Sequence, residues 1–312
     1  MLAGQTGNME TIKNIRKELH LDDSKSRQLL YYLNDLSPIS FYSETEIKNK
    51  DLHGFFFGSS TILAIKFPYL GKSYQSKKPV TEILSEALPA TLILTATAML
   101  FAIIAGMLLG MRAALKKDSW ADNFILFTTT GGISAPSFFM AILILYLFAI
   151  LLHSTTGLNI TGSLYETDDV TGHKYLSLHN LILPALTLGI RPLSIITQVM
   201  RTTMLTVLNK DYIRTAKSKG LSMRRIIFVH ALPNAINPVI TVITGWTAEL
   251  LAGAFFVEYI FGWNGIGKIT VNAFEKLDYP VVMGSILFNA VIFIIINNLT
   301  DILHARFDPR IL

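Results

Sequence analysis

The chain has 312 residues, 51% of them hydrophobic and only 16% charged, with no cysteine and a formal net charge of +5. A soluble domain carries about 25% charged residues, so this balance excludes an ordinary soluble globular protein. The absence of thiols excludes disulfides, iron–sulfur clusters, thiolate zinc sites and cysteine nucleophiles.

In chain order, the first 30 residues hold no apolar run and so no secretory signal. Ile12, Ile15 and Leu19 fall at helical spacing, and Leu29, Leu30, Leu33 and Leu36 form a second helical run. The stretch from Ser37 to Pro79, with Phe55, Phe56 and Phe57, reads as turn-rich. Its Gly71-Lys72-Ser73 matches the end of a phosphate-binding loop, but Lys66 stands where that loop's earlier glycine belongs. The chain is therefore expected to hydrolyse no ATP. Five apolar blocks follow, at 88–111, 124–152, 181–200, 235–257 and 281–299, each near the roughly 20 residues that a membrane-spanning helix needs. The predicted fold class is all-α, a polytopic transmembrane helical bundle. Residues 1–87 form an N-terminal extracytoplasmic segment and 88–312 the membrane domain.

The loops between the blocks are unequal in charge. Twelve Lys and Arg fall in 112–123, 201–225 and 304–312, against three in 153–180 and 258–280. The positive-inside rule puts the first set in the cytoplasm and the second outside. The basic surplus is thus an orientation signal in a lipid bilayer, and no nucleic acid is expected as a partner. Residues 1–87 would then lie outside with no signal to export them: either the first block carries this segment across, or a further spanning helix precedes Met1.

Block 124–152 contains Gly131, Gly132, Ser134, Ala135, Pro136 and Ser137; small residues let helices pack closely in lipid, and Pro136 bends its helix. In the outer loop after it, His173 and His179 stand near Asp168 and Asp169 in no strong ligand spacing, so they read as solvated residues, with neither metal nor cofactor expected. No serine sits in a G-x-S-x-G elbow. With no catalytic constellation, the chain is not expected to be an enzyme.

The loop 201–225 is the most informative. Leu205, Leu208, Tyr212 and Ala216 lie on one face of a helix predicted over 205–219, with Lys210, Arg214 and Lys217 on others. Gly220 supplies the stop, and Ser222 can cap the helix that enters the fourth block. Such a short helix between two spans is either a lever that docks in a partner's groove or an amphipathic helix on the membrane surface. Beyond the fourth block, Gly262-Trp263-Asn264-Gly265-Ile266-Gly267 is too glycine-rich to continue a helix. It reads as a re-entrant or folded loop. No strand–helix context makes it a nucleotide fingerprint.

Residues 211–221 read DYIRTAKSKGL and 230–235 read HALPNA. This resembles the EAA loop of permease subunits of binding-protein-dependent ABC importers. Ala216, Gly220, Leu232 and Pro233 sit at matching positions, while Arg214, Thr215 and His230 replace the Glu, first Ala and Ile of the general pattern, as in the peptide-importing branch. FVEYIFGWNGIGK (256–268), DYPVVMG (278–284), FDPRIL (307–312), LPATLIL (88–94), SAPSFF (134–139) and IRKELHLD (15–22) extend the resemblance to the oligopeptide and dipeptide permeases and their nickel-transporting relatives.

The resemblance implies a type I permease subunit in a bacterial cytoplasmic (inner) membrane, with the C-terminus cytoplasmic and a further spanning helix expected before the IRKELHLD segment, six in all. It also implies two ABC ATPase subunits, a second homologous permease, an extracytoplasmic substrate-binding protein and a peptide cargo. The coupling residues would be Asp211, Tyr212, Arg214, Thr215, Ala216, Lys219, Gly220, Leu221 and Arg224. Ala216 would allow close approach to the ATPase, with Arg224 and Arg225 meeting its acidic groups. Trp263, Gly265 and Gly267 would form the external loop where the binding protein docks. Arg191 and Glu249 lie inside apolar blocks, where charge is costly. They are expected to approach each other near the translocation path and meet peptide termini, or else to form a structural pair. Nickel import by the same branch is one alternative; a secondary transporter, from a different class, would be separated by uptake that needs no ATP.

Overall fold

The computed structural model describes residues 22–58, 62–167 and 172–307. The expected helix around Ile12, Ile15 and Leu19, residues Asp168 and Asp169, and the C-terminal 308–312 lie outside them. The chain divides into two compact units, Met1–Ser85 with Ala273–Ser285, and Glu86–Asn272 with Ile286–Leu312.

The first unit corrects the turn-rich reading of 37–79. Helix α1 (Lys25–Leu36) leads into β1 (Ile39–Tyr42), α2 (Glu44–Lys50), β2 (Gly54–Phe57) and β3 (Ile62–Lys66). The strands form an antiparallel sheet in the order β1-β3-β2, with Ile39 and Phe55 both opposite Ile65. Alternation carries it: in β3, Ile62, Ala64 and Lys66 are buried, and Ser40 and Tyr42 are buried in β1. Ser43 and Glu46 close a reciprocal capping box on α2.

Buried charge in this unit is partnered. The Lys66 ammonium donates to the Asp35 and Ser37 carbonyls, and burial pushes its pKa down. The Asp35 carboxylate accepts from Tyr42 (2.8 Å) and Lys50 (2.6 Å). Ser73, last residue of the false phosphate loop, gives its hydroxyl to buried Asp278, which also accepts the Tyr74 amide at 3.0 Å. The DYP segment thus holds this unit together.

The second unit is the helical bundle. Helices α3 (Val80–Leu115), α4 (Trp120–Ser134), α5 (Ser137–Leu151, ending in a π-helical turn) and α6 (Ile182–Leu208) are followed by the short α7 (Asp211–Ser218). Then come α8 (Met223–Ala235), α9 (Asn237–Gly253), α10 (Phe255–Ile260), α11 (Ile266–Glu275) and α12 (Tyr279–Phe307). A two-stranded ribbon, β4 (Tyr165–Thr167) with β5 (Lys174–Leu176), lies in the loop before α6. Among the described residues, three helices are each long and apolar enough to cross a membrane, and the number rises to five if each of two bent pairs is one span.

Both bends have proline chemistry. Between α4 and α5 the axis turns by 115°, with Ala135 extended and Pro136 at the N-cap of α5. Proline lacks the N–H that would continue α4 and drives its predecessor out of the helical region. Pro136 therefore ends one helix and starts another, more than the simple bend the sequence suggests. The α8–α9 axis turns by 54°, with Pro238 in the first turn of α9.

Glycines set the closest approaches. A Cβ added at Gly106 or Gly110 of α3 would come within 2.9 Å of the Leu193 carbonyl or 2.6 Å of the Thr197 carbonyl on α6. At Gly189 it would come within 2.8 Å of the Ala98 carbonyl. In lipid, where apolar burial gives helices no net attraction, such contact is what holds them together. Gly132 packs against Ser194, whereas nothing lies near Gly131. The core runs from Ala98 and Ala102 through Ile196, Met200 and Met204 to Ala216, Val239 and Trp263.

Candidate functional site

Three places carry the polar residues singled out above: the basic loop after α6, the middle of α6 and α9, and the glycine-rich turn after α10.

In the basic loop the single helix predicted over 205–219 is two. α6 ends at Leu208, Lys210 is extended (ψ 150°), and α7 starts at Asp211, whose carboxylate suits the positive end of the helix. Ile213 is wholly buried and Ala216 nearly so, while Tyr212 is 43% exposed. The inward face is therefore Ile213 and Ala216, packed beside Ile226 and Ile227, not Tyr212 with Ala216. Ala216 accordingly brings α7 close to its own chain, and does not lie on the outer face where a partner would meet it.

Asp211, Tyr212, Arg214, Thr215, Lys217 and Lys219 are exposed, as is Arg224 beyond the turn; Leu221 is half-buried. Arg214 lies 3.6 Å from Asp211 in an exposed pair that adds little stability. Gly220 has φ +74°, with its amide on the Lys217 carbonyl (2.9 Å) and the Leu221 amide on that of Ala216 (3.3 Å). This is a Schellman stop. An added Cβ at Gly220 would meet nothing within 4 Å, so only the backbone angle demands glycine there. Ser222 occupies the N-cap position of α8, but its side chain makes no capping bond.

Two turns before the loop lies a feature the sequence reading missed. Arg201 on α6 grips Asp122, 1% exposed on α4, through two bonds of 2.6 Å. Asp122 also accepts the Asp118 amide at 3.0 Å. The two residues are 79 apart in sequence, and Arg201 looked like one more orienting charge.

At mid-span the expected approach of Arg191 and Glu249 is absent: no ion pair joins them among the described residues. The Arg191 guanidinium lies 5.6 Å from the centroid of the Trp246 ring, its Nε buried with no hydrogen-bond partner. Glu249, one turn beyond Trp246 on α9, is exposed. A cation–π contact of this kind leaves the Nε donor without a hydrogen-bond acceptor.

The glycine-rich turn is folded inward. Trp263 is wholly buried and its indole N–H donates to the Ala90 carbonyl at 2.9 Å. Glu258, also fully buried, accepts the Gly267 amide at 2.7 Å, and the Ile266 amide donates to Thr91 at 2.9 Å, so the first amides of α11 are capped by side chains. Burial pushes the Glu258 carboxyl up to about 7. A side chain at Gly265 would collide with that carboxyl, and one at Gly267 would come within 2.5 Å of Phe255 Cα. Gly162, from the preceding outer loop, donates to the Phe261 carbonyl at 3.0 Å. Trp263, Gly265 and Gly267 therefore build the turn from within and present no side chain outward. The run Glu258, Phe261, Trp263, Gly265 and Gly267 is one packed device.

A family model described as the binding-protein-dependent transport system inner membrane component matches residues 102–312. The chain is 41% identical over 255 residues to a dipeptide transport system permease protein of Haemophilus influenzae, covering 77% of this chain and 76% of that one. A putative peptide transport system permease protein of Brucella abortus is 33% identical over 311 residues, covering 100% and 88%. Among solved structures, an inward-facing MetNI methionine ABC transporter superposes with a TM-score of 0.57 at 12% identity over 73% of this chain and 97% of that one, a likeness of fold.

Proposed function

This chain belongs to the family of binding-protein-dependent transport system inner membrane components, and from that premise we propose that it forms the translocation path of an ATP-driven peptide importer. Its partners are two ATPase subunits, a second permease of the same family and an external substrate-binding protein. The peptide cargo follows from the relatives above. The basic loops and C-terminus face the cytoplasm, and residues before α3 face outside.

The observation that carries the reading is α7. It is anchored inward by Ile213 and Ala216 and exposes Asp211, Tyr212, Arg214, Thr215 and Lys219. A short helix fixed on one face and bare on the other transmits a push as a rigid body. ATPase closure would move it, and its packing against Ile226 and Ile227 would pass the motion into α8. Arg224 and Arg225, exposed beyond the Gly220 turn, extend the same basic surface toward acidic groups of the ATPase.

Uptake of a labelled dipeptide into vesicles holding the transporter purified with its co-purifying subunits tests this. Import that requires both ATP and the binding protein supports it. Import by the chain alone, driven by an ion gradient, contradicts it and favours a secondary transporter.

A further inference from the structure

We infer that Arg191, backed by Trp246, is the station at which the translocation path reads the carboxylate of its cargo. The inference rests on the peptide-import reading and adds which chemical end of the cargo is sensed, and by what.

Arg191 lies near the middle of the apolar helix α6 and is half-buried. A guanidinium stays protonated in proteins. A cation at that depth is strongly disfavoured facing lipid, and such groups face a bundle interior or a water-filled cavity. Yet no carboxylate of this chain pairs with it among the described residues, and Glu249 is exposed. What it has is an aromatic plate: Trp246 lies 5.6 Å from the guanidinium carbon.

That arrangement leaves a specific capacity. The indole lies within cation–π distance of the guanidinium, a contact that uses none of the guanidinium N–H donors. The Nε atom is buried with no partner. A planar edge with two parallel donors matches a carboxylate, which can accept both. A peptide carries a carboxylate at its C-terminus whatever its side chains, so one fixed fork serves a cargo of varied sequence. An ordinary structural arginine would instead have its acid within the chain, as Arg201 has Asp122.

The test uses the transporter purified with its subunits and reconstituted in vesicles. It compares ATP-dependent uptake of one radiolabelled dipeptide as the free acid and as the C-terminal amide, each saturating the binding protein. A charge-assisted bidentate contact predicts that the wild type favours the acid by about tenfold. In Arg191→Gln the acid should fall relative to the amide until the ratio of the two rates is close to one. Arg191→Lys, which keeps the charge but loses the flat fork, should shrink the preference, and it decides the matter if the glutamine variant does not assemble. An acid-to-amide ratio that is absent in the wild type or unaltered in the variants overturns the inference. So does an equal fall for both peptides, the behaviour of an arginine paired with the second permease. A wild type that imports neither form overturns the peptide-import reading, and this inference with it.

Discussion

Arg201 closes on Asp122 through two parallel bonds of 2.6 Å, with the carboxylate all but sealed from solvent. The pair joins α4 to α6 just before α6 gives way to the α7 lever. Removing one partner strands a buried charge, at a cost of about 3–5 kcal/mol, while replacing both by apolar residues is often nearly neutral. Asp122→Leu and Arg201→Met alone should each sharply reduce the folded complex recovered from membranes. The double variant should recover more than either. Losses that simply add would show that the two residues act separately.

The two glycines at the α3–α6 and α4 surfaces should respond oppositely to alanine. A methyl at Gly110 would press on the Thr197 carbonyl at 2.6 Å and Met200 Cβ at 2.7 Å, forcing the helices apart. Overpacking of this kind costs about 1–3 kcal/mol. Gly131→Ala meets nothing within 4 Å and should be neutral or slightly stabilising through helix propensity. Thermal midpoints of the two variants in the same detergent give the comparison.

Glu258 should make stability fall with rising pH. Its folded pKa is raised by burial to about 7 from an ordinary value of 4.5. The folded state thus holds a proton that the unfolded state releases, and the stabilisation is full below 4.5 and lost as pH climbs toward 7. The whole effect is of order 3 kcal/mol by the conversion of 1.36 kcal/mol per unit. Between pH 5 and 8, the thermal midpoint of the wild type should drop further than that of Glu258→Gln, which keeps an oxygen for the Gly267 amide and cannot ionise. Parallel curves would rule out Glu258 as the source.

Ile213 should matter through position, since it is the larger of the two α7 side chains buried against the chain's own core. Ile213→Ala removes several buried methyl groups, at about 2–5 kcal/mol for a core site, and frees one face of the helix. The expected outcome is ATP hydrolysis that no longer rises with the liganded binding protein, with the complex still assembled. Unchanged stimulation would mean that α7 keeps its seat without this anchor.

The membrane bundle was legible because apolar runs of bilayer length are an unambiguous signal, and the stop at Gly220 because glycine adopts that left-handed backbone angle without strain. The three-stranded sheet was hidden: its strands are four or five residues long, and β2, exposed throughout with Phe55-Phe56-Phe57 in a row, has no alternation to show. The break at Asn209–Lys210 carries no proline or glycine, so helical periodicity ran straight through it and misplaced Tyr212. Arg201 found Asp122, and Arg191 missed Glu249, for the same reason: pairing between distant helices depends on their packing, which one sequence does not display. Glu258 left a faint trace, an acid just past an apolar block and before a glycine cluster, as a helix-capping group would.

The most direct test of the account is purification of the tagged chain from native membranes with charge reversed on the outer face of α7, at Arg214→Glu and Lys219→Glu. Both side chains are exposed. The wild type should bring ATPase subunits with it in fixed ratio, and the variant should fold, keep its second permease and lose them. An ATPase complement that survives reversal would contradict the placement of the coupling surface on α7.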